Sequence, residues 1–274
     1  MIVIVASKDD LASINIASKI ISTYNFVKTN EKIGGDQVYR KVVGEKEICL
    51  VIIEGELVYR QNFPLFASAE LVVFVSRHQS KSEVPLLSVH VPGNLFSADF
   101  GGFSNRVSIA PANAMRAAIL EMDHERTRLG LGFHVYYEGT HHGPSLDVPT
   151  LFIEIGSTEK EWRSPKAGEA AAHAVMAAAI SSKKVEAAIG LGGSHCNSRL
   201  TNHSLKSPIA FGHIIPSYAF SKLTSATITH CVERTLEKNP TLVLDWKGID
   251  RRQRESLAEA LRQLNYPVRK LTEY

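Results

Sequence analysis

Eleven histidines among 274 residues are the part of this chain richest in chemistry, because imidazole binds metals and moves protons near neutral pH. Four short runs concentrate the interest. The first is Glu138-Gly139-Thr140-His141-His142-Gly143-Pro144, in which flanking glycines let the backbone turn tightly and present both imidazoles. Two adjacent histidines with a carboxylate can hold a metal; the same run also reads as a turn with exposed histidines. The second is Gly190-Leu191-Gly192-Gly193-Ser194-His195-Cys196. Its small residues let a ligand approach backbone N–H groups, with His195 projecting beyond them. Cys196 is open to three readings: ligand, nucleophile or small half-buried residue. The run lacks the Gly-Lys-Ser/Thr ending of a phosphate loop. The third, Phe211-Gly212-His213-Ile214-Ile215-Pro216-Ser217-Tyr218, sets His213 among apolar residues, either as a functional group or as a hydrogen-bonded core histidine. The fourth, Glu154-Ile155-Gly156-Ser157-Thr158 followed by Trp162, pairs a carboxylate that can orient a polar substrate with a ring that contacts substrate or anchors the next helix. His173 reads as core packing, and His78, His90, His124, His134, His203 and His230 have no comparable setting.

These runs need elements to hold them. Apolar β-branched stretches at residues 2–6, 48–53, 71–76, 86–91, 151–155 and 185–191 predict buried strands. Shorter strands are expected at 133–137, 209–215 and 242–244. Asp9 or Asp10 caps a helix whose apolar positions are Leu11, Ile14, Ala17, Ile21 and Tyr24. Further helices are expected at 112–128 after Pro111, at 166–181 with Pro165 in its first turn, at 225–238 and at 250–264. Strands alternating with helices predict an α/β protein of three α/β/α layers on a mixed, mostly parallel sheet. Residues 132–155 look like two adjacent strands joined by a polar loop. His141, His142, His195 and His213 then all adjoin strands of one sheet, whose ends can converge on one cleft. The chain reads as a single domain over 1–274, with a soft internal boundary near 93–105 in a Gly/Ser/Asn-rich stretch.

Composition removes whole classes. With 44% hydrophobic and 22% charged residues, the chain is neither disordered, fibrous nor a small disulfide scaffold. No apolar run approaches the roughly 20 residues that cross a bilayer, so no membrane association is expected. The MIVIVASKDD start reads as a buried strand rather than a signal peptide. Three cysteines, Cys49, Cys196 and Cys231, argue against a disulfide framework and for the cytoplasm. No HExxH, GxSxG, kinase or dinucleotide signature is present.

Taken in order, THHGP at 140–144, FIEIGST at 152–158 with Trp162, GLGGSH at 190–195 and GHIIPSY at 212–218 resemble the archaeal and plant type of D-aminoacyl-tRNA deacylase. The likeness spans nearly the whole chain, and Cys196 and Ser198 stand where that family usually has Tyr and Pro. The resemblance implies a hydrolase that cleaves the ester between a D-amino acid and the terminal ribose of tRNA; a monomer is expected. It also implies zinc as cofactor and a phosphorylase- and peptidyl-tRNA-hydrolase-like fold.

An activated ester requires a positioned water, a base and stabilisation of the developing oxyanion. His141, His142 and His195 are the expected zinc ligands. His142, His195, Glu154 and His213 are the expected catalytic groups. Backbone N–H groups at Gly192, Gly193 and Ser194 are placed at the oxyanion, and Trp162 at the substrate. The acceptor end needs phosphate contacts. Residues 138–274 hold 17 Lys and Arg against 14 Asp and Glu, and Lys166 and Arg199 flank the motifs there. Two other readings use the same residues: a zinc-dependent amidohydrolase or peptidase on a small substrate, and a non-catalytic tRNA-binding protein.

Overall fold

The computed structural model describes residues 1–247 and 249–273. In chain order the elements are β1 (Ile2–Ser7), α1 (Leu11–Tyr24), β2 (Val27–Ile33), β3 (Asp36–Val43), β4 (Lys46–Ile53), β5 (Leu71–Arg77), β6 (Leu86–His90), β7 (Gly93–Asn94) and β8 (Arg106–Val107). Then follow α2 (Ala112–Arg128), β9 (His134–Glu138), β10 (Thr150–Gly156), α3 (Glu159–Trp162), α4 (Pro165–Ile180), β11 (Glu186–Gly192), β12 (Cys196–Asn197) and α5 (Ser198–Lys206). The chain ends through β13 (Ile209–Ile215), α6 (Ser225–Glu233), β14 (Thr241–Asp245), α7 (Arg251–Leu261) and β15 (Val268–Lys270).

The strands form an α/β fold, mixed and mostly parallel as expected, but in two main sheets rather than one. A nine-stranded sheet runs β12-β9-β6-β10-β5-β1-β4-β3-β2 and a four-stranded sheet runs β13-β11-β14-β15. The large sheet is parallel at its centre, where β5 pairs with both β1 and β10. It turns antiparallel where β6 meets β10 and where β3 meets β2 and β4. The small sheet is parallel throughout. The chain crosses to the small sheet through α3 and α4 and returns at the glycine turn that closes β11, where Gly192 and Gly193 have φ of 113° and 75°. That turn redirects the chain so that β12 pairs with β9 of the large sheet. β9 and β10, expected to be neighbours, are separated by β6, which is parallel to one and antiparallel to the other.

Burial explains why the central strands were legible. β1 and β10 are buried along their whole length, and β5 almost entirely, as continuous apolar runs of a two-face-covered sheet should be. One face of the large sheet is covered by α1, α2 and α4, whose buried residues form one cluster with those of β1, β5, β6 and β10. In α1 the buried row is Ala12, Ile16, Ala17 and Ile20, while Leu11 and Ile14 stand exposed. The face is thus rotated from the expected one, because small Ala12 and Ala17 admit the close approach. Asp10 caps this helix by accepting from Ser13 N–H. Helix α2 also packs against β13, so the two sheets share a layer. α6 and α7 join the apolar cluster of the small sheet with β11 and β14. No helix of the described residues is long and apolar enough to cross a membrane.

Helices α1 and α4 approach closely. Asn15 Nδ2 donates to the carbonyls of Trp162 and Ser164, both at 2.8 Å. A Cβ on Gly168 would lie 2.2 Å from Asn15 Oδ1. Alanine favours a helix over glycine by up to about 1 kcal/mol, but overpacking costs about 1–3 kcal/mol. Gly168→Ala is therefore expected to lower the urea unfolding midpoint. Adding Asn15→Ala, which vacates the clash, should recover part of the loss; a Gly168→Ala protein as stable as wild type would show that the two helices can move apart freely.

Candidate active site

Strand ends from both sheets open onto a cleft of about 920 Å³. Just beneath its lining, under His195, lies the last residue of β9, Glu138, whose side chain is fully buried. His195 Nε2 lies 2.9 Å from Glu138 Oε2, and His78 Nδ1 lies 3.0 Å from Oε1. His78 also reaches Glu154 Oε2 at 3.6 Å. On β10, Glu154 sits in register with Ser76 of β5 and Ser88 of β6. Ser76 Oγ donates to its carboxylate. Two positions back, Phe152 is in register with His90 and stacks on it at 5.1 Å.

The His141-His142 pair stands beside this centre. Gly93 N–H donates to both histidine carbonyls, fixing the turn on the segment after β6. His141 Nδ1 lies 2.8 Å from the Gly139 carbonyl and His142 Nδ1 2.7 Å from that of Gly143. Both imidazoles thus hold their Nδ1 protons against backbone oxygen and keep Nε2 as a lone pair. His142 Nε2 is 3.3 Å from His90 Nε2. The His141 ring lies 4.3 Å from His90 and 4.5 Å from His195, centre to centre. Gly139 is required here, because a Cβ would meet Pro216 Cγ at 2.3 Å.

Electrostatics divide these groups into two sets. Burial holds His90 and His141 well below the usual histidine range and His142 at about 4, so all three are neutral. Burial also opposes charge on His78, yet Glu138 and Glu154 outweigh it and push its pKa up to about 10. Burial works against an ionised Glu138, but His195 and His78 hold its pKa well below the usual range. Burial, with the charge of Glu138, raises Glu154 to about 7. The Cys196 thiol is pushed up to about 12, by burial first and then by both carboxylates. That removes the nucleophile reading, since the thiolate is the reactive form.

The donor set fits a metal. Ring nitrogens of His90, His141 and His142 lie within 4.8 Å of one another. Metal-bound histidines characteristically donate their other N–H to a carbonyl, as His141 and His142 do here. His90 Nδ1 is buried with no hydrogen-bond partner among the described residues.

Of the residues singled out from sequence, the cleft gathers His141, His142, His195 and Glu154. Others lie elsewhere. His213 is buried behind the floor, with Nδ1 3.1 Å from Thr140 Oγ1 and Nε2 3.1 Å from the Arg234 carbonyl. It supports the histidine turn from behind as a core residue. Trp162 Nε1 donates to the His78 carbonyl at 3.0 Å, so it anchors His78 rather than lining the cleft. Lys166 Nζ is 3.0 Å from the Leu129 carbonyl, away from the cleft. Gly193, Ser194 and Arg199 line a separate cavity of about 330 Å³, where Arg199 pairs with buried Asp245. Buried Gly192 packs there too, its Cα facing the Asp245 carbonyl. Sequence reasoning passed over His78 and His90, and it did not give Glu138 its central place. Both histidines stand at the ends of strongly apolar strands, the same signal that drew attention to His195.

The chain matches the family model described as D-aminoacyl-tRNA deacylase over residues 65–269. It is 37% identical over 257 residues to a protein of Thermococcus kodakarensis named D-aminoacyl-tRNA deacylase, covering 90% of this chain and 92% of that one. A protein of the same name from Pyrococcus furiosus is 38% identical over 255 residues, with the same coverage. Among solved structures, a conserved protein of unknown function superposes with a TM-score of 0.86 at 28% identity, covering 100% of this chain and 96% of that one.

His213 makes the site's support sensitive to acid. Burial lowers its pKa from 6.5 to about 3. The unfolded chain therefore takes up a proton that the folded chain refuses, and stability falls as pH drops from 6.5 toward 3. The slope is up to about 1.4 kcal/mol per pH unit. His213→Gln is expected to unfold at lower urea than wild type at pH 7 but to lose less between pH 6.5 and 5. Parallel urea midpoints for the two proteins across that range would contradict this.

Proposed function

Since the chain belongs to the D-aminoacyl-tRNA deacylase family, we propose that it hydrolyses the ester of D-aminoacyl-tRNA in the cleft above Glu138, releasing a free D-amino acid and tRNA. The observation that carries the site assignment is His195, which lines an open cleft and is held from beneath by the buried Glu138 carboxylate at 2.9 Å. Glu138 accepts the Nε2 proton, which leaves Nδ1 of His195 as the basic atom, 3.3 Å from the Tyr218 hydroxyl. From there it takes a proton from an attacking water. The resulting imidazolium is stabilised by Glu138 and returns the proton to the departing ribose oxygen. His78, held between Glu138 and Glu154, keeps positive charge beside the floor.

Zinc belongs to the same reading. His90, His141 and His142 would hold it, because Nε2 of His195 is already engaged by Glu138. When bound, zinc would polarise the ester carbonyl and lower the pKa of a water to about 7. A cytoplasmic enzyme acting as a monomer fits this role in translation.

The deciding assay follows ester loss from D-Tyr-tRNA and L-Tyr-tRNA. Rapid loss from the D-form alone is expected, and equal rates on both would overturn the reading. His195→Ala and Glu138→Gln should each lower kcat by about 10²–10⁴-fold. Zinc content measured by atomic absorption should fall in His142→Ala and stay at the wild-type level in His195→Ala. Loss of zinc in His195→Ala instead would move His195 into the ligand set.

A further inference from the structure

Three aromatic rings stand in water at the mouth of the cleft. Phe100 is 66% exposed, Tyr218 60% and Tyr59 56%, and all three line the opening. A lone exposed ring needs no explanation, but several grouped at one opening mark a binding surface. Their backbone is held firmly. Gly143, next to His142, donates its N–H to the Phe100 carbonyl at 2.7 Å. Asn94 Nδ2 donates to the Gly101 carbonyl at 2.8 Å, and Ser145 Oγ accepts from Phe103 N–H at 3.1 Å. A Cβ on Gly101 would lie 2.0 Å from the Val58 carbonyl oxygen and 3.3 Å from the Tyr59 ring. Phe100 is therefore presented on a loop bonded directly to the histidine turn, and that loop packs at Gly101 against the segment carrying Tyr59.

Charge decides what the mouth can recognise. Besides the floor, the lining carries Asp9, Asp10, Glu56 and Asp99 against Arg77 and Lys222. Arg77 itself lies 3.7 Å from Glu56. With few cations on the rim, recognition in the mouth rests on the aromatic faces more than on phosphate contacts. Flat apolar faces suit nucleobases, and stacking tolerates any base because every base has a π-face.

We propose that Phe100 and Tyr59 are stacking platforms for the unpaired bases at the 3′ end of the aminoacyl-tRNA. The inference rests on the deacylase reading: an ester held at His195 leaves its ribose and the preceding nucleotides in the mouth. Tyr218 touches His195 and is left out of the test for that reason.

The experiment compares wild type, Phe100→Ala, Phe100→Trp and Tyr59→Ala on D-Tyr-tRNA and on D-tyrosine methyl ester, which carries no nucleoside. A second arm measures quenching of 2-aminopurine placed as the 3′-terminal base of a short RNA. Phe100→Ala and Tyr59→Ala should each raise KM for the tRNA substrate about tenfold, with kcat and the methyl-ester rate nearly unchanged. Phe100→Trp should restore KM, and Phe100→Ala should lose the quenching. Unchanged KM and quenching in both alanine variants would overturn the proposal, as would equal loss on both substrates. Wild-type quenching that Phe100→Ala abolishes, in a protein that leaves D-Tyr-tRNA intact, would uphold stacking and sink the deacylase reading instead.

Discussion

A carboxylate shut away from water governs the centre of this protein. An ionised group in the interior is costly unless charge and hydrogen bonds surround it. Glu138 meets that demand with a hydrogen bond from His195 on one oxygen and the charge of His78, 3.0 Å away, beside the other. Each partner is in turn fixed from outside. His78 is held by Trp162, and His195 is carried by the turn whose carbonyl accepts from Gly139. The site is thus specified by one electrostatic requirement that several distant segments satisfy together.

That requirement also explains why two sheets are used. Glu138, His78, His90 and Glu154 come from the large sheet, whereas His195 follows β11 of the small one. The sheets are joined at this place by the Thr140 N–H bond to the Ile214 carbonyl and by the turn that leads from β11 of the small sheet into β12 of the large one. Neither sheet alone contains the dyad. The neutral imidazoles of His90, His141 and His142 lie one ring further along, shielded by Phe152. The carboxylate-bound imidazole of His195 and the neutral imidazole of His141 therefore sit side by side, 4.5 Å apart centre to centre.

Much of this was legible in the residues. Apolar runs such as residues 71–77 and 150–156 announce doubly covered strands, and the Asp10 and Pro165 helix starts follow local capping rules. The glycine-flanked histidines pointed to the cleft. What escaped was long-range pairing: nothing local says that β6 inserts between β9 and β10, or that β12 leaves one sheet for another. Glu138 looked like the start of a motif rather than its hub, because burial of its carboxylate is set by segments far along the chain. Helix α5 was missed because Leu200 is the one buried large apolar residue in a short polar run. The β2–β3 hairpin was missed although Gly34 and Gly35, at φ of 62° and 93°, make its turn.

That hairpin's illegibility has a use. The nine-stranded sheet ends on one side at β12, a two-residue strand tucked against the second sheet, and on the other at β2. An open edge strand is a template on which foreign strands can polymerise. β2 reads VKTNEKI, with Lys28, Glu31 and Lys32 exposed, and charge on an edge discourages such pairing. The polarity that hides the strand from a hydrophobic pattern search is the same property that keeps the sheet from growing into a fibre.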